Sequence, residues 1–479
     1  MATSIRASYP VGADFDEVFA APGVPRPHCE ALIDALDALG PGGIADARAR
    51  ADLAFLNAGV TFTVYNETAG IERIFPFDLV PRAIEAREWL RVEAGLKQRV
   101  LALNAFIQDV YNDGRIIAAG LIPADAVFGS PNFQPAVRGF TPPNGVWVHI
   151  AGIDLVRDAD GTIYVLEDNL RTPSGVSYVL QNRLISTRAM PRLFAQTAVR
   201  SVSDYGNRLH EAIRACWGHG AAVVLTPWMY NSAFYEHTFL AKQMGLQLVE
   251  GRDLEVRDGR VVMRTTRGPQ PVGAIYRRVD DEFLDPLNFN PASELGVAGL
   301  FDVYRAGRAC LVNGIGTGVA DDKSIYPYVP AMIRFYLGEA PILPNVPTFR
   351  ARDEKDRQHI LAHLRDLVVK PTNASGGYGV VVGPQADERL LADTAARIGE
   401  DPAGYIAQPL IRLSVCPTMI DGRLEPRRVD LRPFVVYDGS EPWVLPGGLT
   451  RVALREGSFI VNSSQGGGSK DTWVLDVPA

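Results

Sequence analysis

The stretch "VLEDNLRTPSG", residues 165–175, ends an apolar run with three oxygen-bearing side chains, Glu167, Asp168 and Asn169, before a Pro-Ser-Gly turn. Its apolar surroundings, "VHIAGI" and "TIYVL", predict a buried strand hairpin. A carboxylate in a buried strand is costly unless an opposite charge or a hydrogen-bond donor compensates it. The stretch therefore predicts a strand end that meets a cation. Asp168 is expected to point away from that cation, in a structural role, because side chains alternate along a strand.

The preceding segment, "GIDLVRDADGTIY", predicts the partner strand and a tight turn at "DADG". If the turn places Arg157 opposite Thr162, then Asp154, Glu167 and Asn169 share one face, with the two carboxylates diagonal to each other. These oxygen ligands suit Mg²⁺, which keeps positions open for phosphates, so this register predicts a magnesium site. A turn with a glycine bulge would shift the register by one residue and turn Asp154 away. A surface hairpin with solvated acids is the other alternative.

The composition is that of a globular protein, with 47% hydrophobic and 22% charged residues among 479. This length predicts about three domains. The net charge of −7 argues against nonspecific binding to nucleic acid or membranes, and no apolar run approaches the roughly 18 residues of a membrane span. The start of the sequence has no secretory signal pattern, so a cytoplasmic location is expected. Cys29, Cys216, Cys310 and Cys416 lack C-x-x-C spacing, which predicts reduced thiols rather than a zinc or redox motif.

The hydrophobic pattern predicts both helices and strands along most of the chain. Residues 81–114 have apolar positions at helical spacing, and an earlier amphipathic helix is predicted to end at Gly40. Strands and helices alternate within 200–345, which predicts an α/β unit with a largely parallel sheet. The Pro-rich segment 339–349 predicts a boundary, and residues 365–479 are expected to be mostly strands.

The segment "LVVKPTNASGGYGVVVG", residues 367–383, predicts two strands joined by a loop of small residues. Such a loop can lay backbone N–H groups over phosphates, and a lysine at the strand end adds a positive charge to the same anion. The predicted phosphate-binding residues are Lys370, Ser375, Gly376, Gly377 and Gly379. The segment lacks the G-x-x-x-x-G-K-[ST] pattern and is not a P-loop; a plain hairpin is the alternative.

Arginines and glycines near the end of the chain add candidate anion-binding groups. "RRVDLRPFVV" places Asp430 and Arg432 on one predicted strand, and Arg451 follows on a later one. The arginine fork suits oxygen-rich anions because it donates two parallel hydrogen bonds, although a surface salt bridge is the alternative for each arginine. The triplet Gly466–Gly468 predicts a close approach of the backbone to another group.

In this order along the chain, the motifs resemble those of the ATP-grasp superfamily. A "VVKP" strand with a glycine-rich loop, a hinge strand, "DLR", a further arginine and an "N…GGG" stretch follow one another, and then the chain ends. The acidic residue and the "ExN" motif that would come next are found near the front, as Asp154, Glu167 and Asn169. The sequence is therefore similar to the circularly permuted ATP-grasp family, type 2, relatives of glutathionylspermidine synthase-like proteins, over most of residues 60–479.

This resemblance implies an α+β or α/β protein with a circularly permuted ATP-grasp fold, a Rossmann-like pre-ATP-grasp domain and an N-terminal helical extension. The expected units are an N-terminal mixed or helical extension (1–135), the magnesium-binding part of the large subdomain (136–200), the Rossmann-like domain (201–345), the small lid subdomain (346–412) and the rest of the large subdomain (413–479).

The resemblance also implies an ATP- and Mg²⁺-dependent ligase that joins a small-molecule or peptide carboxylate to an amine through an acyl phosphate. A phosphotransferase and a non-catalytic nucleotide-binding partner protein are the alternatives. The implied roles are phosphate binding by Lys323 and Lys370, nucleotide binding at the hinge by Gln408 and Leu410, magnesium binding by Asp154, Glu167 and Asn169, catalysis by Arg171, Arg432 and Arg451, and substrate binding by Asn462, Gly466 and Gly467. Many ATP-grasp enzymes have Glu where this sequence has Gln408, which puts the contact of that side chain in question.

The segment "YRRVDDEF" ends a predicted strand of the α/β unit, where such sheets commonly bind ligands. Arg277 and Arg278 would bind a substrate carboxylate there, and Asp280 with Asp281 would bind an amine. A salt-bridge network within the domain is an equal alternative.

Overall fold

The protein is described here by a computed structural model. It describes residues 4–66, 69–74, 76–216, 218–373, 379–459, 461 and 467–476. Within these ranges the chain forms a nine-stranded sheet, a six-stranded sheet, a four-stranded sheet and two separate hairpins. No helix in these ranges is long and apolar enough to cross a membrane.

The N-terminal region is mixed, with a strand that belongs to the main sheet. Its elements are α1 (Ile5–Ser8), β1 (Phe19–Ala21), β2 (Val24–Pro25), α2 (Glu30–Ala58), β3 (Thr61–Asn66), β4 (Ala69–Ile74), β5 (Phe77–Ile84), α3 (Ala86–Tyr111), α4 (Arg115–Ala118) and α5 (Ala124–Phe128). The predicted end of a helix at Gly40 is confirmed, because Gly40 has a non-helical backbone, with a φ of +62°, and a second helical segment of α2 follows from Pro41. The helix predicted from residue 81 begins only at Ala86, since every residue of β5 is buried in the sheet.

The predicted hairpin exists and is followed by two helices. Its strands are β6 (Ile150–Arg157) and β7 (Ile163–Asn169), and the helices are α6 (Val176–Ala189) and α7 (Pro191–Gln196). All eight residues of β6 are buried, which is typical of a central strand covered on both faces.

The next region is the predicted α/β unit. It contains α8 (Tyr205–Ala215), β8 (Ala221–Leu225), α9 (Phe234–Met244), β9 (Gln247–Val249), β10 (Leu254–Arg257), β11 (Arg260–Met263), β12 (Gln270–Arg277), α10 (Asp281–Leu284), α11 (Leu300–Arg305), β13 (Cys310–Val312), α12 (Gly318–Asp321) and α13 (Val329–Met332). Strands β13, β12, β8 and β9 are parallel neighbours, as the alternation predicts. The sheet is nevertheless mixed, because β10 and β11 add an antiparallel edge.

A small unit with its own core follows the Pro-rich boundary. It consists of β14 (Phe349–Arg350), α14 (Glu354–Ala362), β15 (Leu367–Pro371), β16 (Val381–Val382), α15 (Glu388–Glu400) and β17 (Tyr405–Pro409), in the antiparallel order β14-β17-β15-β16. Its core is built from Ile360, Leu367, Val369, Ile398 and Ala407. Helix α15 is an element that the sequence analysis missed, although Asp387 caps it by accepting a hydrogen bond from the Leu390 N–H.

The last strands complete the nine-stranded sheet together with strands from the front of the chain. They are β18 (Val415–Ile420), β19 (Arg423–Arg432), β20 (Phe434–Val436), β21 (Trp443–Val444), β22 (Leu449–Val452) and β23 (Gly468–Val474). The order is β21-β20-β6-β19-β22-β23-β5, with β7 paired to β6 and β18 to β19. Strand β6 therefore lies between two C-terminal strands, as the predicted permutation requires, and β5 is in addition a parallel neighbour of β23.

One sequence expectation about the cysteines is wrong. Cys216 and Cys310 form a disulfide, although 94 residues separate them. Cys29 and Cys416 are free thiols, as predicted, and both are buried. The pairing arises because α8 ends beside the first residue of β13, a proximity that no local spacing in the sequence indicates.

Candidate active site

A cleft of about 570 Å³ lies between the small unit and the nine-stranded sheet. Most of the residues singled out from the sequence line it: Asp154, Glu167, Asn169, Arg171, Asp280, Lys323, Lys370, Gln408, Leu410, Arg432 and Arg451. They come from four separate regions of the chain, so the cleft exists only in the folded protein.

The hairpin brings Asp154 and Glu167 directly opposite each other, rather than diagonally as predicted. Arg157 pairs with Ile163, which is one residue away from the predicted register, and a bulge between Val165 and Glu167 shifts the register again. Two shifts of one residue put Asp154 back on the same face as Glu167 and Asn169, because side chains alternate with a period of two. The predicted face is therefore correct even though the predicted pairing is not.

Asp168 lies on the other face of β7, as the alternation predicts. Arg99 donates to both of its carboxylate oxygens, from Nε at 2.6 Å and from Nη2 at 2.7 Å. Both side chains are almost fully buried. This ion pair fastens the hairpin to helix α3 and leaves the opposite face of β7 turned to the cleft.

Asp154 is held by two arginines at the floor of the cleft. Arg432 donates to both of its oxygens, from Nε and from Nη2, the latter at 2.8 Å, and Arg451 Nη2 donates at 2.6 Å. Arg451 also binds Asp430, its cross-strand neighbour on β19. Burial alone would raise the pKa of Asp154, but Arg432 and Arg451 together hold that pKa well below its usual range. The arginines are thus charged and fixed in position before any ligand arrives.

Glu167 and Asn169 are more open to the cleft than Asp154. Glu167 lies 3.6 Å from Lys323 Nζ and 3.8 Å from Arg432 Nη2. The Asn169 amide nitrogen is buried without a hydrogen-bond partner among the described residues. Rotation of that amide by half a turn presents its oxygen at the same place. A carboxylate and an unsatisfied amide beside each other fit the oxygen-rich ligand set of Mg²⁺, with Asp154 as a third oxygen donor on the same face.

Lys370 and Gln408 form the opposite wall, on adjacent strands of the small unit. Lys370 Nζ donates to Gln408 Oε1 at 2.7 Å, and Gln408 Nε2 donates to Thr348 at 2.9 Å. Burial lowers the pKa of Lys370 to about 8, an effect that nearby Glu167 opposes. Gln408 therefore holds Lys370 in place through a hydrogen bond from a neutral side chain. An ionised glutamate at this position would hold the lysine with a negative charge as well.

The glycine-rich loop is described only in part. Ser375, Gly376 and Gly377 lie outside the described residues. Gly379 has a φ of +72°, and a Cβ there would come within 2.9 Å of the Pro371 side chain, so this position requires glycine.

Apolar side chains also line the cleft. Val368 and Val382 come from the small unit, and Leu166, Leu413 and Val461 come from the large sheet and its loops. Leu410 belongs to the same wall, at the end of the hinge strand. Apolar lining of this kind can hold a planar ring, with a small number of polar groups fixing its orientation.

The part of the cleft lining that follows β7 carries opposite charges. Arg171 Nε donates to Asp321 at 2.8 Å, and Asp321 also accepts from the Leu170 N–H. The remaining arginine fork is partly exposed to the cleft, and Asp280 is exposed beside it. Burial raises the pKa of Asp321 to about 6, against the opposing effect of Arg171. Sequence reasoning missed Asp321, although its position two residues before Lys323 was a signal.

Arg277 and Arg278 do not line the cleft, so the expectation that this pair binds a substrate carboxylate is not supported. Arg277 donates to three backbone oxygens, those of Asn313, Val279 and Gly314, and pairs with Asp281 at 2.7 Å. Both arginines are buried. The alternative of a salt-bridge network within the domain describes Arg277, whereas Arg278 pairs with Glu236 at 3.2 Å in the same unit and also donates to the Pro173 carbonyl outside it.

The other predicted substrate residues are Asn462, Gly466 and Gly467, and only Gly467 is among the described residues. Asn462 and Gly466 lie outside the described residues. Gly467 is buried immediately before β23 and is not part of the cleft lining.

Comparison with known proteins identifies a family and similar relatives. A family model described as circularly permuted ATP-grasp type 2 matches residues 81–453. An uncharacterized protein of Synechocystis sp. is 52% identical over 472 residues, which are 98% of each chain. A longer protein of Frankia casuarinae, which carries the provisional name glutamate–cysteine ligase 2-2, is 43% identical over 467 residues, or 96% of this chain and 53% of that one.

Among solved structures, a glutathione synthetase-like effector of Globodera pallida in its apo form has a similar fold. The TM-score is 0.60, and the match covers 90% of this chain and 97% of that chain. The sequence identity is 11%, so this similarity concerns the fold alone.

Proposed function

This chain belongs to the circularly permuted ATP-grasp type 2 family, and on that premise we propose that it is an ATP- and Mg²⁺-dependent ligase that joins a carboxylate to an amine. One observation supports the proposal most strongly. The carboxylate face of the β6–β7 hairpin, the lysines Lys323 and Lys370, and the arginines Arg432 and Arg451 all face one cleft. That set combines oxygen ligands for a cation with positive charges for a polyphosphate.

The residues divide into a nucleotide end and an acceptor end. The apolar walls would hold the adenine, with the hinge backbone at its edge, while Lys370 and Lys323 would contact the phosphates. Glu167, Asn169 and Asp154 would hold Mg²⁺, which neutralises phosphate charge when it is bound. Arg432 and Arg451 would stabilise the charge that develops on the transferring phosphoryl group, because they are already fixed by Asp154 and Asp430.

The acceptor end favours a reaction with two further substrates. The fork of Arg171 would bind and orient the carboxylate that attacks the γ-phosphorus. Asp280 would attract the ammonium group of the amine and accept one of its protons. The neutral amine would then form a C–N bond at the acyl carbon as the C–O bond to phosphate breaks, and phosphate would leave with the second proton of the amine. An acyl phosphate hydrolyses readily, so closure of the small unit over the cleft would protect it from water.

The test is release of ADP and phosphate from Mg-ATP by the full chain, with pooled carboxylic acids and amines added separately and together. Ligation predicts turnover that requires both an acid and an amine. We expect Glu167→Gln and Arg432→Ala to lower turnover by at least roughly 100-fold, the scale of lost electrostatic stabilisation at a reacting phosphoryl group.

The matched control is Glu441→Gln, an exposed glutamate outside the cleft, which should leave turnover unchanged. Turnover that needs an acceptor but no amine would favour the phosphotransferase alternative. Normal turnover in Glu167→Gln and Arg432→Ala would refute the assignment of the site.

A further inference from the structure

A second group of metal-ligating side chains lies outside the cleft. His149 comes immediately before β6, Cys216 comes immediately after α8, and Cys310 begins β13. All three are buried, and one ligand atom from each lies within 4.8 Å of the others. The two cysteines form a disulfide in this structure.

His149 is the unexplained member of this group. Its side chain is 1% exposed, yet neither ring nitrogen has a hydrogen-bond partner among the described residues. A buried polar group without a partner is costly, and native proteins rarely leave both nitrogens of a histidine in that condition. An imidazole with no other bond is a ready metal ligand.

We propose that Cys216, Cys310 and His149 form a binding site for Zn²⁺, or a similar soft divalent cation, when the two cysteines are reduced. Zinc binds thiolate sulfur at about 2.3 Å and imidazole nitrogen at about 2.0–2.1 Å, which separates the ligands of a tetrahedral site by roughly 3.5–3.8 Å. The ligand atoms of the observed group lie within 4.8 Å of one another, at most about 1 Å beyond these separations, so a small shift of the His149 ring and the parting of the two sulfur atoms on reduction would give this geometry. A solvent molecule would complete the coordination beside Cys216, the least buried of the three residues.

The disulfide and the metal site are alternative states of the same sulfur atoms. A dithiol reductant supplies two electrons and two protons, the S–S bond breaks, and the reductant becomes a disulfide. Binding of Zn²⁺ then displaces the two thiol protons, and each thiolate gives an electron pair to the metal.

The site joins segments that also hold the cleft. Asn313 follows β13 and accepts hydrogen bonds from the N–H groups of His149 and Ile150, at 2.7 and 2.9 Å. The same side chain donates to the carbonyl of Leu170 at 2.7 Å, next to Arg171. A metal on His149 and Cys310 would therefore fasten β13 to the start of the hairpin strand that carries Asp154.

The experiment uses the full chain, reduced with a dithiol that is then removed, and titrated with Co²⁺ as a spectroscopic substitute for zinc. We expect one equivalent to bind with a cobalt–thiolate charge-transfer band, and added Zn²⁺ to abolish the band by displacement. Cys216→Ser and Cys310→Ser should lose the band, and His149→Ala should weaken binding at least tenfold. Cys29→Ser and Cys416→Ser are matched controls, since both residues are buried thiols outside the group.

A second measurement needs no variant and covers the case in which a substituted protein does not fold. Zinc should slow alkylation of Cys216 and Cys310 in the reduced wild-type chain, as read by mass spectrometry, while the reaction of Cys29 and Cys416 stays unchanged. The absence of both the cobalt band and this protection would overturn the proposal and leave a plain disulfide. A band that survives in the Cys216→Ser and Cys310→Ser variants would also overturn it.

Discussion

At the scale of single residues, the cleft is organised by charges that hold one another in place. Asp154 fixes Arg432 and Arg451, and Gln408 fixes Lys370. Lys370 differs from the arginines because its buried ammonium group has a pKa of about 8, whereas a guanidinium stays protonated. Its charge is therefore the one that ordinary changes of pH can remove.

We predict that the affinity for Mg-ATP falls as the pH rises above about 8. A bound phosphate favours the charged form of Lys370 and so raises its pKa. Above pH 8 the free protein has mostly lost this proton, so Lys370 must take up a proton when Mg-ATP binds, and the affinity falls. The dissociation constant should be flat just below pH 8 and rise towards tenfold per pH unit above it, as measured by calorimetry.

Lys370→Arg is the control for this prediction, because arginine keeps its charge throughout that range. Its dissociation constant should not change as the pH rises through 8. If the wild type and Lys370→Arg show the same pH dependence, Lys370 is not the titrating group.

At the scale of elements, the loop that connects β7 to α6 is clamped from the α/β unit. Arg278 donates to the carbonyl of Pro173 at 2.8 Å, and Glu236 on helix α9 accepts from the N–H groups of Gly175 and Ser177 at 2.8 and 3.0 Å. Arg278 and Glu236 also pair with each other at 3.2 Å. This clamp sets the direction in which the chain leaves the hairpin and so positions Arg171.

We predict that Glu236→Ala destabilises the protein by about 3–5 kcal/mol, because it leaves the buried Arg278 without its counter-charge. Urea unfolding measures the change.

Glu236→Gln should cost less stability, since its amide oxygen can still accept the backbone hydrogen bonds. Glu211→Ala, which removes an exposed pair with Arg208 on helix α8, should change stability by less than about 1 kcal/mol. Equal changes in the free energy of unfolding for Glu236→Ala and Glu211→Ala would show that the clamp does not stabilise the protein more than an exposed ion pair does.

At the scale of the whole molecule, the front and the end of the described chain are parts of one sheet. Strands β5 and β23 are parallel neighbours, and Lys470 on β23 donates to Asp78 on β5 at 2.5 Å. The lysine is fully buried and also donates to the carbonyl of Pro417 at 2.8 Å. This buried ion pair joins three distant segments at the place where the permuted topology brings them together.

We predict that Asp78→Ala lowers the free energy of unfolding by about 3–5 kcal/mol, because the buried ammonium of Lys470 loses its counter-ion. The exposed aspartate Asp34, which pairs with Arg6, provides the comparison: Asp34→Ala should cost less than about 1 kcal/mol in the same urea titration. A small effect of Asp78→Ala would mean that the joint between β5 and β23 does not depend on this pair.

Much of the fold and of the site could be predicted because it depends on local rules. Alternation along a strand selected the face of Glu167 and Asn169, and the order of the motifs indicated that strands from both ends share one sheet. The bulge after Val165 could not be predicted, since it depends on pairing with β6 rather than on the sequence of β7 alone. The predicted face of Asp154, Glu167 and Asn169 is correct only because the turn and the bulge each shift the register by one residue, and two such shifts cancel.

The sequence by itself determined the β6–β7 hairpin, the residue types of the cleft and the family resemblance, because these depend on spacing within short segments and on the order of those segments along the chain. Only the tertiary structure decided that Arg171, and not Arg277 or Arg278, faces the cleft, and that Cys216 meets Cys310 across 94 residues. The physical reason is that burial and pairing are set by which distant segments pack together. An arginine or a cysteine acquires its role from neighbours that the local sequence does not contain.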